Sequence, residues 1–76
     1  MNNEAKIYVG PDEALQAEIG LPAYCVGAWI VAVFRADGAE FEPVVCDTLE
    51  EAKAVIAEYS AYLATLGEDA LVNWVH

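Results

Sequence analysis

An uncharged stretch of eleven residues, beginning at Tyr24 and ending before Arg35, constrains the fold of this chain more than any other segment. It is rich in β-branched and aromatic side chains, which predicts a strand that is buried on both faces. Asp37 and Gly38 follow, and both tolerate the positive φ of a tight two-residue hairpin turn. The sequence therefore predicts that the chain folds back at once into a second strand over 39–46.

A turn at Asp37-Gly38 fixes the register of the predicted hairpin. Arg35 then lies opposite Glu40 and Phe34 opposite Phe41, while Trp29 lies opposite Cys46 at the base of the hairpin. An ion pair and an aromatic pair across the strands each contribute roughly 0.2–1 kcal/mol, which favours this register over a slipped one.

Alternation along the hairpin sorts its side chains onto two faces. The face predicted to form the main core carries Ile30, Ala32, Phe34, Phe41 and Val45. The other face carries Trp29, Val31, Val33, Val44, Arg35, Glu40 and Glu42. Because this second face is acidic near the turn and apolar toward the base, we expect the short helix or another molecule to cover part of it.

Four further elements follow from local signals. A first strand is predicted over 5–9, and a short helix begins at Pro11, where the missing N–H of proline is harmless. A long helix is predicted over 48–66, because Asp47 or Thr48 can cap it while Glu50 or Glu51 reaches back, and its apolar residues recur at intervals of three and four. Gly20 and Pro22 are predicted to end the short helix and Gly67 the long one. A last strand is predicted over 70–75, with most of the Trp74 ring buried.

Together these elements predict one α+β domain over 1–76. It has a small antiparallel sheet of three to four strands in β-α-β-β-α-β order, with the long helix packed across one face and a short helix besides. The order matches the ferredoxin-like fold, which would make the 39–46 strand central. Pro43 cannot donate a ladder hydrogen bond, so a simpler meander with that strand at the sheet edge is favoured.

Charge limits the partners of this chain. Thirteen acidic residues against three basic ones give a net charge of −10, which repels phosphate backbones and anionic membranes, so neither nucleic acid nor membrane is expected to bind directly. The uncharged run over 19–34 contains Pro22 and is shorter than the roughly 20 apolar residues of a membrane-spanning helix. The first residues lack the apolar core of a secretion signal, which predicts a cytoplasmic protein.

Groups that could carry chemistry are few. The single histidine is His76, and the hydroxyl groups of Thr48, Ser60 and Thr65 have no base nearby in sequence. We therefore expect neither an enzyme nor a cofactor or metal site. Cys25 and Cys46 are interpreted as buried thiols, and the hairpin register separates them by roughly 13 Å, too far for a disulfide.

The candidate site is an acidic edge. On a regular strand Glu40 and Glu42 would share a face about 6.7 Å apart. The full set of predicted partner-binding residues is Asp37, Glu40, Glu42, Asp47, Glu50, Glu51 and Trp29. Two roles for these carboxylates are open. In the first they keep the domain soluble and do nothing more; in the second they imitate phosphates and occupy a basic nucleic-acid groove on another protein.

In its size, its net charge and this run of acids from Asp37 to Glu51, the chain resembles the small acidic proteins with which phages disable host machinery, in particular the anti-CRISPR proteins that mimic DNA. The resemblance implies a protein of the host cytoplasm that binds an effector complex and blocks its target DNA. A narrower similarity covers the segment from Asp47 to Ala52 with the preceding strand, which resembles the strand-to-helix junction of HicB-type antitoxins, although Cys46 stands where those proteins usually have glycine.

Two functions follow from these observations. One is a charge-mimic inhibitor whose partner is a basic nucleic-acid-binding protein or effector complex. The other is a structural or antitoxin-like module that forms a homodimer through an apolar sheet face, or through the alanine stripe of the long helix (Ala54, Ala57, Ala61 and Ala64). Salt distinguishes them, because ionic strength weakens charge-driven binding and leaves apolar association intact or stronger.

Overall fold

A computed structural model describes residues 3–20 and 27–75 of the chain. In chain order its elements are strand β1 (Glu4–Pro11), helix α1 (Asp12–Ile19), strand β2 (Trp29–Phe34), strand β3 (Val44–Cys46), helix α2 (Leu49–Thr65) and strand β4 (Asp69–Trp74). This α+β architecture and its element order agree with the prediction. The beginning of the strand predicted from Tyr24, together with Pro22 and Cys25, lies outside the described residues. No helix in the described ranges is both long and apolar enough to cross a membrane.

The four strands form one sheet in the order β3-β2-β1-β4. β3 lies at an edge, as Pro43 indicated, and β1, β2 and β3 form an antiparallel meander rather than the ferredoxin-like arrangement. The prediction of a purely antiparallel sheet is wrong in one pairing, because β1 and β4 are parallel. The reason is that α2 carries the chain back across the sheet, so that β4 runs in the same direction as β3 and β1.

The hairpin loop between β2 and β3 has three residues, not the predicted two. The amide of Gly38 donates to the carbonyl of Arg35 (3.0 Å) and the amide of Arg35 donates to the carbonyl of Ala39 (2.7 Å). With Gly38 at a φ of 92°, this is a type I turn closed by a glycine bulge. The longer loop pairs Phe34 with Glu40, so the predicted pairs Arg35–Glu40 and Phe34–Phe41 are wrong.

The predicted register returns at the base of the hairpin, where Trp29 lies opposite Cys46 and Val31 opposite Val44. Between these pairs and the loop, residues 41–43 oppose only residues 32–33, so Glu42 and Pro43 together lie opposite Ala32 and form a bulge of one extra residue. A shift of one residue turns a side chain to the opposite face. Phe41 accordingly leaves the face of Phe34 and packs against two tyrosine rings of α2.

Each face of the sheet is covered by one helix. α2 packs on the larger core, formed by the strand residues Ala5, Ile7, Val9, Val31, Val33 and Cys46 together with the helix residues Ala52 and Leu63. α1 packs on the other face, where Leu15, Ala28 and Ile30 are buried. The prediction had placed the main core on the Ile30 face. Both faces of β2 are apolar, so alternation alone could not show which one the long helix covers.

The ends of both helices are built as predicted. Gly20 closes α1 with a φ of 71°, and its amide donates to the carbonyl of Gln16. At the end of α2, Gly67 has a φ of 77°. Its amide donates to Ala64 (3.1 Å), while the amide of Glu68 donates to Leu63 (3.0 Å). This pair of bonds is a Schellman motif, which turns the chain from α2 into β4.

Trp74 is 45% exposed, so the prediction that its ring is mostly buried is wrong. α2 begins next to β3 at the base of the hairpin, and the turn at its other end leads into the start of β4. Trp74 ends β4 beside Val9, at the opposite end of that strand. The helix therefore crosses the sheet diagonally and leaves this corner uncovered.

Candidate acidic partner-binding surface

The predicted site acids lie in two groups at opposite ends of the β2–β3 hairpin. Three of them, here called the tip acids, are Asp37, Glu40 and Glu42. The other three, here called the base acids, are Asp47, Glu50 and Glu51. All six are exposed. The Phe34–Glu40 pair marks the tip and the Trp29–Cys46 pair marks the base, five residues apart on β2, which is roughly 17 Å along the strand.

The hairpin loop fixes the backbone around the tip acids. Asp37 accepts a hydrogen bond at Oδ1 from the amide of Ala39 (2.9 Å), so this carboxylate shapes the turn while its side chain stays in solvent. Glu40 pairs with Phe34, and Glu42 lies in the bulged segment next to Pro43. Because that segment is not a regular strand, the spacing of about 6.7 Å expected for Glu40 and Glu42 does not follow from strand geometry.

The base acids form the start of α2. The hydroxyl of Thr48 accepts a hydrogen bond from the amide of Glu51 (3.2 Å), and the carboxylate of Glu51 accepts one from the amide of Asp47 (3.1 Å). This is the predicted capping box in a slightly extended form, because Glu51 reaches the amide of Asp47, one residue before the N-cap Thr48. Glu50 and Glu51 also lie at the positive end of the helix dipole. The charge of Glu51 is thus partly engaged in holding the helix.

A shallow groove lies between the edge strand β3 and α2, on the face of the sheet that α2 covers, whereas Glu40 shares the opposite face with Phe34. Its volume is about 300 Å³ and it is lined by Val44, Val55, Glu58, Tyr59 and Tyr62. The ring of Phe41 packs at 5.5 Å from Tyr59 and 6.1 Å from Tyr62. The wall of the groove is therefore aromatic and apolar, and Glu58 adds a carboxylate to it.

Glu58 lines this groove and is absent from the predicted set of site residues. Its spacing from Glu51 gives a usable signal. Glu51, Val55, Glu58 and Tyr62 follow one another at intervals of four, three and four, which places them on one side of a helix. That side faces β3, so Glu58 lies along the helix between the base acids and the end of α2.

Arg35 is neutralised by a residue outside the predicted site. Its Nε and Nη2 atoms donate to Oε2 of Glu68 at 2.8 and 2.6 Å, and the amide of Ala36 donates to Oε1 of the same carboxylate at 2.7 Å. The Glu68 side chain is only 5% exposed. The hydrogen bond from Ala36 and then that from Arg35 lower the pKa of Glu68, while the bond to Glu68 raises the pKa of Arg35 above its already high value.

The consequence for the tip is electrostatic. Arg35 was predicted to pair with Glu40, and it is the basic residue closest to the tip acids in sequence. In residues 3–20 and 27–75, Arg35 and Glu68 form the single ion pair of the structure. Glu40 and Glu42 consequently have no salt-bridge partner among those residues, and their charge faces solvent.

Trp29 differs from the six predicted site acids in its surroundings. It is half-buried and packs on the core between the sheet and α2, not beneath the short helix. Part of its surface remains accessible near the base of the hairpin. Its role in a partner contact stays a prediction.

The candidate metal ligands and the thiol of Cys46 bear on the chemistry of the described residues. They contain no cluster of three or more histidine, cysteine or carboxylate side chains arranged to hold a metal ion. Cys46 is a buried free thiol, and burial raises its pKa, with Glu51 and Asp47 adding to the effect. A thiol of this kind is a poor nucleophile at neutral pH. The arrangement is suited to binding a cationic surface.

Comparison with protein-family models, with curated proteins and with solved structures found no match to this chain.

Proposed function

We propose that this protein is a non-enzymatic inhibitor that occupies the nucleic-acid-binding groove of a basic protein or effector complex, in the manner of a DNA-mimic anti-CRISPR protein. The observation that supports this function is the placement of exposed carboxylates at both ends of the β2–β3 hairpin. The arginine nearest to the tip acids is held by Glu68, so the tip keeps its full negative charge.

The spacing of the two acidic groups suits a groove that binds a phosphate backbone. Tip and base acids are separated by roughly 17 Å along the strand, which is about five phosphates along one strand of a DNA duplex. Glu58 lies between them on α2, beside the groove. Lysine and arginine side chains that normally contact successive phosphates would thus find carboxylates at both ends of this span and at one point within it.

Apolar contacts would add to this charge recognition. The groove beside Glu58 is lined with Tyr59 and Tyr62, whose rings can stack on a guanidinium group. Attraction between the acidic surface and a basic groove raises the association rate and is screened over about 8 Å at physiological salt. Binding should therefore weaken steeply as salt increases.

Displacement of DNA tests this function. A fluorescently labelled duplex target bound to an RNA-guided effector complex should be released when the protein is added at low salt. The double variant Glu40→Gln and Glu42→Gln should release it less effectively. The matched control is Glu13→Gln with Glu18→Gln on α1, since it removes two exposed charges that lie outside the β2–β3 hairpin. Equal loss of competition by both double variants would show that only net charge matters and would contradict a localised site.

The second candidate function is an interaction module that dimerises through an apolar sheet face. Its support is the α1 face of the sheet, where Leu71 and Val45 are each 45% exposed at the two edges. A module of this kind should associate as well or better at high salt. Competition with DNA that disappears at high salt favours the inhibitor, whereas association that persists there favours the module.

A further inference from the structure

The two edges of the sheet are protected very differently. β3 has only three residues. The bulge that contains Pro43 lies between β3 and the hairpin tip, and so do Glu40 and Glu42. Short length, proline, bulges and charge are the features that prevent an edge strand from pairing with another chain. β4 has six residues, contains no proline, and is uncharged from Ala70 to Trp74. Only the β4 edge is open to a further strand.

The hydrogen bonds of β4 show which of its backbone groups point outward. The amide of Asp69 donates to the carbonyl of Asn3 (2.8 Å) and that of Val75 donates to Val9 (2.8 Å), so the odd-numbered residues of β4 bond to β1. Along a strand these directions alternate. The amides and carbonyls of Ala70, Val72 and Trp74 therefore point away from the sheet, and no hydrogen bond joins them to another described residue.

We propose that β4 pairs antiparallel with β4 of a second copy of this chain, with the twofold axis at Val72. In this register Val72 lies opposite Val72 of the second copy and Ala70 lies opposite Trp74. All three outward-facing residues then exchange both backbone hydrogen bonds with their opposites, and the two four-stranded sheets join into one. A twofold pairing of this kind is closed and stops at the dimer.

The side chains of β4 are complementary to themselves in this register. The exposed ring of Trp74 lies beside the small side chain of Ala70, and Leu71 lies opposite Asn73 on the other face. The uncovered corner that exposes Trp74 becomes part of the interface. Association thereby removes from solvent the two most exposed apolar side chains of the strand.

Charge also favours this edge for a chain with a net charge of −10. Joining the sheets at β4 gives the strand order β3-β2-β1-β4-β4-β1-β2-β3, which puts the acidic hairpins at the two outer edges. Seven spacings of about 4.8 Å separate the outer strands by roughly 34 Å, well beyond the screening length at physiological salt. Pairing through β3 would instead bring the acids together.

Sedimentation equilibrium over a range of concentrations tests the pairing. The natural chain should approach twice its 8.2 kDa mass. Leu71→Glu should raise the dissociation constant roughly tenfold or more, because the like charge enters the interface twice. Val45→Glu is the matched control, since Val45 is as exposed as Leu71 but lies on β3, and it should leave the dimer intact. A natural chain that stays monomeric at every concentration overturns the proposal, and so does equal weakening by both variants.

Amide hydrogen exchange gives a second, residue-resolved readout. In the dimer the amides of Ala70, Val72 and Trp74 should become as protected as those of Leu71 and Asn73. In Leu71→Glu at low concentration only the odd-numbered amides should remain protected. A dimer in which the three even-numbered amides still exchange freely would contradict the β4 register. Neither result depends on the acids of the hairpin. If the β4 pairing fails, the proposed inhibitor function is unaffected, because the displacement of DNA tests it separately.

Discussion

Glu68 and Arg35 connect the end of α2 to the tip of the β2–β3 hairpin through a buried carboxylate. One oxygen of Glu68 accepts two hydrogen bonds from the guanidinium group of Arg35, and the other accepts one from the neighbouring backbone amide. Phe41, next to the tip acid Glu40, packs on two tyrosine rings of α2. Together with this packing, the ion pair fixes the position of the hairpin tip relative to the helix.

We expect Glu68→Gln to lower the free energy of unfolding, since the neutral amide makes a weaker bond to Arg35 and cannot accept on both sides in the same way. Urea denaturation followed by circular dichroism measures the change. Glu40→Gln is the control, because it removes the same charge from the residue that sequence reasoning paired with Arg35. If the two variants lose equal stability, the assignment of Glu68 as the partner of Arg35 is wrong.

The stability that Glu68 contributes should depend on pH in one direction. Its pKa in the folded chain lies below the ordinary value of 4.5, so the folded state favours the charged form. The contribution is fully present above the ordinary value and is lost as the pH falls through the lower, folded-state pKa. The difference in unfolding free energy between the natural chain and Glu68→Gln should thus shrink in acid. A difference that stays constant from neutral pH to well below 4.5 would show that the charge of Glu68 is not its source.

The two tryptophans should differ in their importance for stability. Trp29 packs on the α2 core, so we expect Trp29→Ala to cost roughly 2–3 kcal/mol, somewhat below the range for a fully buried aromatic side chain. Trp74→Ala, measured at a concentration where the chain is monomeric, should cost less than about 1 kcal/mol because nearly half of the Trp74 surface is exposed. A negligible loss for Trp29→Ala would leave that ring available for a partner.

The thiol of Cys46 should react slowly in the folded protein. It is 2% exposed and its pKa is raised, first by burial and then by two nearby carboxylates. In a Cys25→Ser variant, alkylation by iodoacetamide at pH 8 should be much slower before than after unfolding in urea. Rapid alkylation of the native chain would mean that the hairpin base opens readily. For the natural chain, a mass measurement without reductant should show two free thiols in the monomer.

The sequence predicted the elements better than their arrangement. The capping box at Thr48, the glycine stops after both helices and the edge position of β3 depend on local chemistry, and all are confirmed. The pairing of β4 with β1 depends on contacts between distant parts of the chain, which no local pattern encodes. The sequence reflects this pairing only indirectly, through Gly10, because a Cβ atom there would collide with the carbonyl group of Val75.

The sequence predicted which acids are exposed at the candidate site but not how the hairpin arranges the residues around them. All six acids are exposed, but a hairpin loop one residue longer than expected separated Arg35 from Glu40 and moved Phe41 to the α2 side. Asp37-Gly38 is compatible with both loop lengths, because glycine adopts positive φ in each. Glu68 is absent from the predicted site, since its contact with Arg35 requires α2 to end beside the hairpin tip.

The parallel pairing of β1 with β4 has a consequence for synthesis on the ribosome. β1 emerges well before β4, yet β4 is one of its two neighbours in the sheet. β1, α1, β2 and β3 can associate as they appear, but one edge of β1 must wait until α2 and β4 have also been translated. A contact this distant in sequence is slow to form and costly in chain entropy. The nascent protein thus has an incompletely paired central strand until β4 is synthesised. During this interval the free edge of β1 is open to binding by a chaperone or by another nascent copy.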